Sequence, residues 1–386
     1  MRKFNKNSLL FGFVLVFVIA GLLGNCLDQL RWKVVDLAAG IRQGNFQSVF
    51  DFKDNVEEVS NKMLSYHDFM MDANSVKDNL LGTRVVDKEE TLVVKADSGM
   101  LLGNIEENFS DEEISAIVSG ISERKDQSEK SGAKYIYCSV PDKNFYGGIP
   151  ENVVSYNLSN NKRLLDRLSK ESVAYIDFAD EMKDRSVSDI FFYTDHHWKP
   201  DSGLKATEII LDKLKSNYGF EFNSDYTDIN NYTVTTYKNH FLGSYGKKVG
   251  SYFTWYGLDD FDLIIPKFET KMTEAHQNEP ERTGKFEDTV LFLDHMEKDP
   301  YIANAYSTYS GGDFRLQIMK NELNPTGIKI LLIRNSFSCV VAPFLALQAS
   351  ELHIVDDREG DYPSGEIVDI AKYINQEKFD YVIEIK

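Results

Sequence analysis

This 386-residue sequence is short of positive charge: 43 Lys and Arg stand against 61 Asp and Glu, a net charge of −18. Binding phosphates requires clustered Lys and Arg, so nucleic acid is excluded as a partner, and a highly anionic polymer is disfavoured. The plain consequence is a soluble acidic surface. Cysteine is far scarcer, at three residues. Cys26, Cys138 and Cys339 make no disulfide framework, and buried free thiols are the expectation. No cysteine or H-x-x-x-H spacing supplies the third and fourth ligands that zinc needs, so neither a metal nor a cofactor is expected. Proline (9) and glycine (24) are sparse and no repeat or low-complexity run appears. With 42% apolar residues, this describes an ordinary globular chain. It is long enough for a full-size catalytic domain and an accessory segment.

Charge is also missing from one stretch. Residues 7–27 hold no Asp, Glu, Lys or Arg, and Arg2, Lys3 and Lys6 precede them. As a helix these residues span about 30 Å, enough to cross a bilayer core. The preceding positive charge places the amino terminus in the cytoplasm and the rest of the chain outside. A cleaved signal peptide and a lipoprotein attachment at Cys26 are the alternatives, and all three put the chemistry outside the cytoplasm.

Residues 31–79 carry apolar side chains near a helical period, among them Val49, Phe52, Val56, Val59 and Met63, and read as a stalk. Short strands follow in T-R-V-V-D and T-L-V-V-K. From about residue 110 strands alternate with helices. Ser110 caps a helix running to about Arg124, with Ile114, Ile117 and Ile121 on one face. Strands are expected at 134–140, 173–178, 328–333, 352–355 and 381–385. Helices are expected at 160–169, from Asp201 to about Ser216 (Leu204, Ile209 and Leu214 inward), after Ser336, and around 367–375. Such alternation implies a mainly parallel sheet with helices on both faces, an α/β fold. The Tyr- and Thr-rich stretch 218–306 breaks the pattern and reads as an irregular β insertion, with a tight loop at Phe241–Gly246.

The chemistry-bearing stretch is F-F-Y-T-D-H-H-W-K-P at Phe191–Pro200. In extended chain, Asp195 and His197 share a face, where a carboxylate can fix the imidazole's tautomer and stabilise its protonated form. The matching nucleophile is Ser336, placed where the apolar strand I-K-I-L-L-I passes through Arg334 and Asn335 into a helix. In a parallel sheet, ligands gather beyond the carboxyl ends of the strands. The competing readings are that Ser336 merely caps a helix and that His197 joins His196 in binding a metal.

T-D-H-H-W at Thr194–Trp198, followed downstream by N-S-F-S at Asn335–Ser338, resembles the DHHW family, which is similar to the alginate O-acetyltransferases of the SGNH-hydrolase-like superfamily. The likeness covers roughly residues 80–386. Accessory matches fall in order at Pro141-Asp142-Lys143, Gly243-Ser244, Gly311-Gly312-Asp313 and Asp356-Asp357-Arg358. What the resemblance implies is a Ser336–His197–Asp195 triad on a flavodoxin-like, SGNH-like sheet. The activity implied is an extracytoplasmic O-acetyltransferase that acts on a cell-surface or secreted polysaccharide through an acyl-serine. Its acetyl donor would be supplied by a membrane-bound O-acyltransferase. An acetyl esterase with the same triad, or a non-catalytic polysaccharide-binding or scaffold protein of the envelope, is the alternative. Relatives carry Gly or Asp where Asn335 stands, and Asn where Asp313 stands; a carboxylate cannot donate to an oxyanion. The oxyanion role is therefore assigned to the N–H of Ser336 with Gly243 or Gly312, in loops that also hold Ser244 and Asp313. Lys143 is read as a ligand for a substrate carboxylate or sugar oxygen, or as a surface lysine. Trp198 either stacks on a sugar or anchors its loop. The resulting organisation is an anchor at 1–30, a stalk at 31–105 and a catalytic domain at 106–386, with the insertion at 218–306.

Overall fold

The computed structural model describes residues 67–88, 91–277, 279–296, 299–359 and 366–386. The expected anchor and most of the stalk lie outside these residues. No described helix is long and apolar enough to cross a membrane. By internal contacts Ser75–Lys386 forms one compact unit.

The strands in chain order are β1 (Val85–Lys88), β2 (Thr91–Lys95), β3 (Leu101–Leu102), β4 (Lys134–Ser139), β5 (Tyr175–Asp177), β6 (Tyr232–Phe241) and β7 (Asp259–Pro266). They continue with β8 (Met272–His276), β9 (Arg282–Gly284), β10 (Leu316–Asn321), β11 (Lys329–Arg334), β12 (Glu351–Asp356) and β13 (Tyr381–Ile385). β1–β3 form a small antiparallel sheet, and β6 pairs with β7 as a separate ribbon. The remaining eight build one sheet in the order β5-β4-β13-β11-β12-β10-β8-β9. The first five run parallel, and β10, β8 and β9 add an antiparallel edge.

Alternation along the central strands feeds two cores. Ile136, Cys138, Ile330 and Leu332 face one side, against Leu204, Ile210, Leu211 and Leu214 of helix α3 (Pro200–Tyr218, preceded by helices α1 and α2 described next). Tyr135, Tyr137, Leu331 and Ile333 face the other, against α1 (Asp111–Ser131), α2 (Asn157–Lys170) and Ile374. Helices therefore cover both faces, as the run of strands and helices required. The start of α1 is set by a capping box: Ser110 Oγ accepts from the Glu113 N–H, and the Glu113 carboxylate accepts from the Ser110 N–H. It stops at Gly132, which adopts φ 97°, and so runs a turn or more past Arg124.

Three expectations are corrected, and one strand that no sequence pattern announces is added. Ile117 is 39% exposed; the inward face of α1 is Ile114, Val118 and Ile121, the i, i+4, i+7 stripe. Stretch 218–306 is not wholly an insertion, because β8 and β9 belong to the main sheet. Strand β10 was hidden from the pattern since its inward positions include the polar Gln317 and Asn321, each buried and hydrogen-bonded. The strand order also departs from a flavodoxin-like one. Numbered among the parallel five, it reads 2-1-5-3-4 where that fold has 2-1-3-4-5, because the chain's last strand wedges between β4 and β11. Arg124 and Tyr135 both bond the fully buried Glu384 carboxylate of that strand and fix it there.

The packing that positions the downstream half of the site is close. A Cβ on Gly203 of α3 would stand 2.4 Å from the Val340 carbonyl oxygen, in the turn that begins at Ser336. Gly203→Ala must push that turn away. It is expected to cost about 1–3 kcal/mol in chemical denaturation; unchanged stability would show that the contact is not constraining.

Candidate active site

The upstream half is a closed loop, not a strand. Phe191 and Trp198 form an isolated antiparallel bridge, the Lys199 N–H donates to the Ile190 carbonyl, and Phe191, Phe192 and Trp198 are fully buried. Asp195 and His197 thus come together by a turn: Asp195 Oδ1 accepts the backbone N–H of His197 at 2.9 Å and faces its Nδ1 at 2.5 Å. The extended chain with a shared face that the sequence suggests is thus not found; a turn makes the contact.

The downstream half is the exit of β11. Asn335 Oδ1 accepts the N–H of Phe337 at 3.1 Å and caps a 3₁₀ turn over Ser336–Val340, followed by a short helix at Ala342–Ala346. An aspartate would cap in the same way, which accounts for one departure from the family pattern. The expected helix after Ser336 is therefore this tighter turn. The structure brings the two halves into contact, with His197 Nε2 2.8 Å from Ser336 Oγ. With Nδ1–H given to the carboxylate, Nε2 is left to accept the serine proton.

Asp195 is almost wholly buried. Burial alone would raise its pKa, but the imidazoles of His196 and His197 and the N–H of Ser244, 2.6 Å from Oδ2, hold it well below the usual carboxylate range. Gly243 lies flat against it: a Cβ there would fall 2.2 Å from the Asp195 Cβ. Its own N–H donates to Thr194 Oγ1 at 2.8 Å. Gly243 and Ser244 accordingly hold the aspartate, and their N–H groups are not free for an oxyanion. Ser244 opens a helix, Ser244–Val249, where a tight loop was expected.

Two buried charges clamp the loop from either side. The Asp259 carboxylate accepts the N–H of Tyr193 (2.7 Å), the N–H of Thr194 (2.8 Å) and the Thr194 hydroxyl (2.6 Å). The Lys143 ammonium, only 3% exposed, donates to the carbonyls of Leu101 (3.0 Å) and Tyr193 (3.4 Å). Lys143 is thus neither a surface lysine nor a substrate ligand: it ties the small sheet to the motif loop. Trp198 is settled as an anchor, since its fully buried indole donates to the Phe337 carbonyl at 2.8 Å and meets Phe178 edge-on. The same carbonyl accepts the Tyr306 hydroxyl at 3.1 Å, and the Tyr306 ring stacks on His197 with centroids 4.2 Å apart.

His196 points to Ser244 Oγ, 3.0 Å away, and burial together with the neighbouring His197 pushes its pKa down to about 3. Ligand atoms of Asp195, His196 and His197 lie within 4.8 Å of one another, but both Asp195 oxygens already serve backbone and imidazole donors. Asp313 is held by Arg334 and by Arg358, the latter at 2.8 Å, while the Gly312 carbonyl accepts from Arg334 at 3.0 Å. Burial raises the Asp313 carboxyl, but the two guanidiniums leave it below its ordinary value, so it stays an acceptor. Among the described residues, no hydrogen bond uses the N–H of Ser336 or of Gly312. Sequence reasoning missed Asp259, Tyr306 and Arg334. None sits in a motif; each acts through partners distant in the sequence.

Burial pushes the Lys143 pKa down to about 8, against an ordinary value near 10.4. Between those values the unfolded chain binds a proton that the folded chain has released, so the lysine's contribution to stability rises with pH there and is flat below. Urea unfolding should show the stability difference between wild type and Lys143→Met growing from pH 8 to pH 10. A difference independent of pH would contradict the buried ammonium.

No protein-family model matches the sequence, and no curated protein sequence does. Among solved structures, the chain is similar to Bacillus cereus PatB1, with a TM-score of 0.62 at 18% identity, covering 76% of this chain and 95% of that one. It is similar to the same protein carrying a sulfonyl adduct, with a TM-score of 0.61 at 17% identity, covering 77% and 95%. A DHHW family protein from Eubacterium siraeum gives a TM-score of 0.55 at 19% identity, covering 78% of this chain and 93% of that one. Identities this low carry the fold, and fold alone does not carry function. The chain therefore shares its fold with a DHHW family protein, the family that its T-D-H-H-W motif resembles.

Proposed function

We propose that the protein is an extracytoplasmic O-acetyltransferase that places acetyl groups on hydroxyls of a cell-surface or secreted polysaccharide. One observation carries the reading: the alcohol of Ser336, the ring of His197 and the buried carboxylate of Asp195 in hydrogen-bonded sequence. In the first half-reaction His197 Nε2 takes the Ser336 proton while Oγ attacks the acyl carbon of an activated acetyl donor. The imidazolium, stabilised by Asp195, then returns that proton to the leaving group, and Ser336 is left acetylated. In the second half-reaction a sugar hydroxyl gives its proton to His197 and attacks the ester carbonyl, restoring the free serine. The N–H of Ser336, unclaimed by other described residues, is the first donor proposed for the oxyanion. The chemistry calls on no cofactor.

The motif resemblance and the shared fold support this assignment. So does the uncharged stretch 7–27, which is proposed to tether the protein to the cell membrane beside a membrane-bound O-acyltransferase that supplies acetyl groups. The alternative in which water takes the acetyl group uses the same residues.

A sulfonyl fluoride is the fitting probe, given the sulfonyl adduct of the similar Bacillus cereus protein. Phenylmethylsulfonyl fluoride should add one sulfonyl group to Ser336, read by intact mass, and Ser336→Ala should abolish the addition. With p-nitrophenyl acetate and an oligosaccharide, Ser336→Ala and His197→Ala should each lower acetyl turnover by about 10³-fold or more. Acetylated sugar identifies a transferase, and free acetate alone an esterase. No adduct and no effect of either substitution would leave the non-catalytic reading.

A further inference from the structure

The 3₁₀ turn Ser251–Thr254 and the two residues after it present an unusual surface. Tyr252, Trp255 and Tyr256 are 48%, 60% and 54% exposed, three aromatics within five residues of chain. Solitary exposed apolar side chains are ordinary, but three exposed aromatics gathered in one short segment suit a binding surface. Their backbone is fixed from below. Asn79 Nδ2 donates to the Tyr252 carbonyl at 2.9 Å, and Lys95 Nζ donates to the Phe253 carbonyl at 3.0 Å. The Phe253 ring is fully buried under the Lys95 ammonium, 4.5 Å from its centroid. Trp255 sits at φ 63°, in the left-handed region that an aromatic side chain adopts only at a cost. Strain of this sort persists where the surrounding structure enforces it, and it gathers at ligand clamps.

The group is continuous with the candidate active site. The Tyr256 ring stacks on Tyr193 with centroids 4.0 Å apart and planes 28° apart. It also covers Gly99, where a Cβ would fall 2.7 Å from the Tyr256 ring. Tyr193 is two residues from Asp195, at most about 7 Å along the chain, and its N–H and carbonyl are held by Asp259 and Lys143. The platform and the Asp195–His197 pair thus hang from one clamped segment.

We infer that Tyr252, Trp255 and Tyr256, backed by Tyr193, form a glycan-binding platform on which uncharged sugar rings of the acceptor lie while a neighbouring hydroxyl reaches Ser336. The inference rests on the acetyltransferase reading for the position of that hydroxyl. The chemistry fits the ligand. Flat aromatic faces with a polar edge match the apolar face and hydroxyl rim of a pyranose, and ordering the few torsions of Tyr and Trp costs little entropy. An anionic lipid surface fits poorly on a chain of net charge −18.

The test uses the full chain and three soluble probes: cellohexaose, the hexamer of N-acetylglucosamine and laminarihexaose, titrated by tryptophan fluorescence and calorimetry. At least one should bind in the millimolar range or tighter. Trp255→Gly suits the left-handed backbone, so it should fold with equal or higher stability yet bind about tenfold more weakly, as should Tyr252→Ala. Ser336→Ala should retain binding. No binding of any probe, or binding unchanged in both platform variants, overturns the proposal, as does Trp255-dependent binding to phosphatidylglycerol vesicles in place of sugar. Failure of the catalytic reading is distinguishable: Ser336 would then resist sulfonylation while sugar binding persisted.

Discussion

The carboxylate of Asp195 is the constraint on which the rest depends. A charge buried this deeply is tolerated only if it is fully solvated by the protein, and three donors supply that solvation: the N–H and Nδ1 of His197 and the N–H of Ser244. Each demand shapes a neighbour. The His197 bond fixes the ring so that Nε2 faces Ser336. The Ser244 bond draws the Gly243–Ser244 backbone so near that no side chain fits at Gly243. The loop that carries the aspartate is in turn clamped by Asp259 and Lys143, two opposite charges buried on either side of the Tyr193 peptide.

The sheet delivers the partner. β11 runs between β12 and β13 within the parallel block, and its carboxyl end leads through Arg334 and Asn335 to Ser336 where α/β sheets present ligands. Arg334 is buried among Asp313, Gly312 and Cys339, so the strand end is anchored by charge before the serine turns outward. Tyr306 closes the arrangement. Its ring lies on His197 and its hydroxyl holds the Phe337 carbonyl, which Trp198 also holds, so ring and turn are pinned to a common point.

Much of this was legible in the sequence where the signal was local. The strands at 134–139, 329–334 and 351–356 announce themselves by apolar runs, α1 by its capping box, and the residues that meet at the candidate site by the type and order of Asp195, His197 and Ser336. What was not legible depends on long-range pairing. β10 buries Gln317, whose partner Glu274 lies 43 positions away, so its strand pattern looks broken until the fold supplies the bond. Lys143 looks like any turn lysine; only the arrival of Leu101 and Tyr193 buries it. Trp198 offered two readings of equal chemical merit, and its partner carbonyl, 139 positions on, decides between them. The sequence offers Gly243 or Gly312 as the second oxyanion donor, whereas the close approach of Gly243 to Asp195 is a fact of packing.

The central claim is that His197 carries its proton on Nδ1, facing Asp195, and presents a bare Nε2 to the Ser336 hydroxyl. The most direct measurement is the ¹⁵N spectrum of histidine-labelled protein at alkaline pH, with His197 assigned through His197→Gln. The account requires a protonated Nδ1 and an unprotonated Nε2, with Asp195→Asn altering that balance. A proton resident on Nε2 in the wild-type protein would contradict it, since the ring could then accept nothing from the serine.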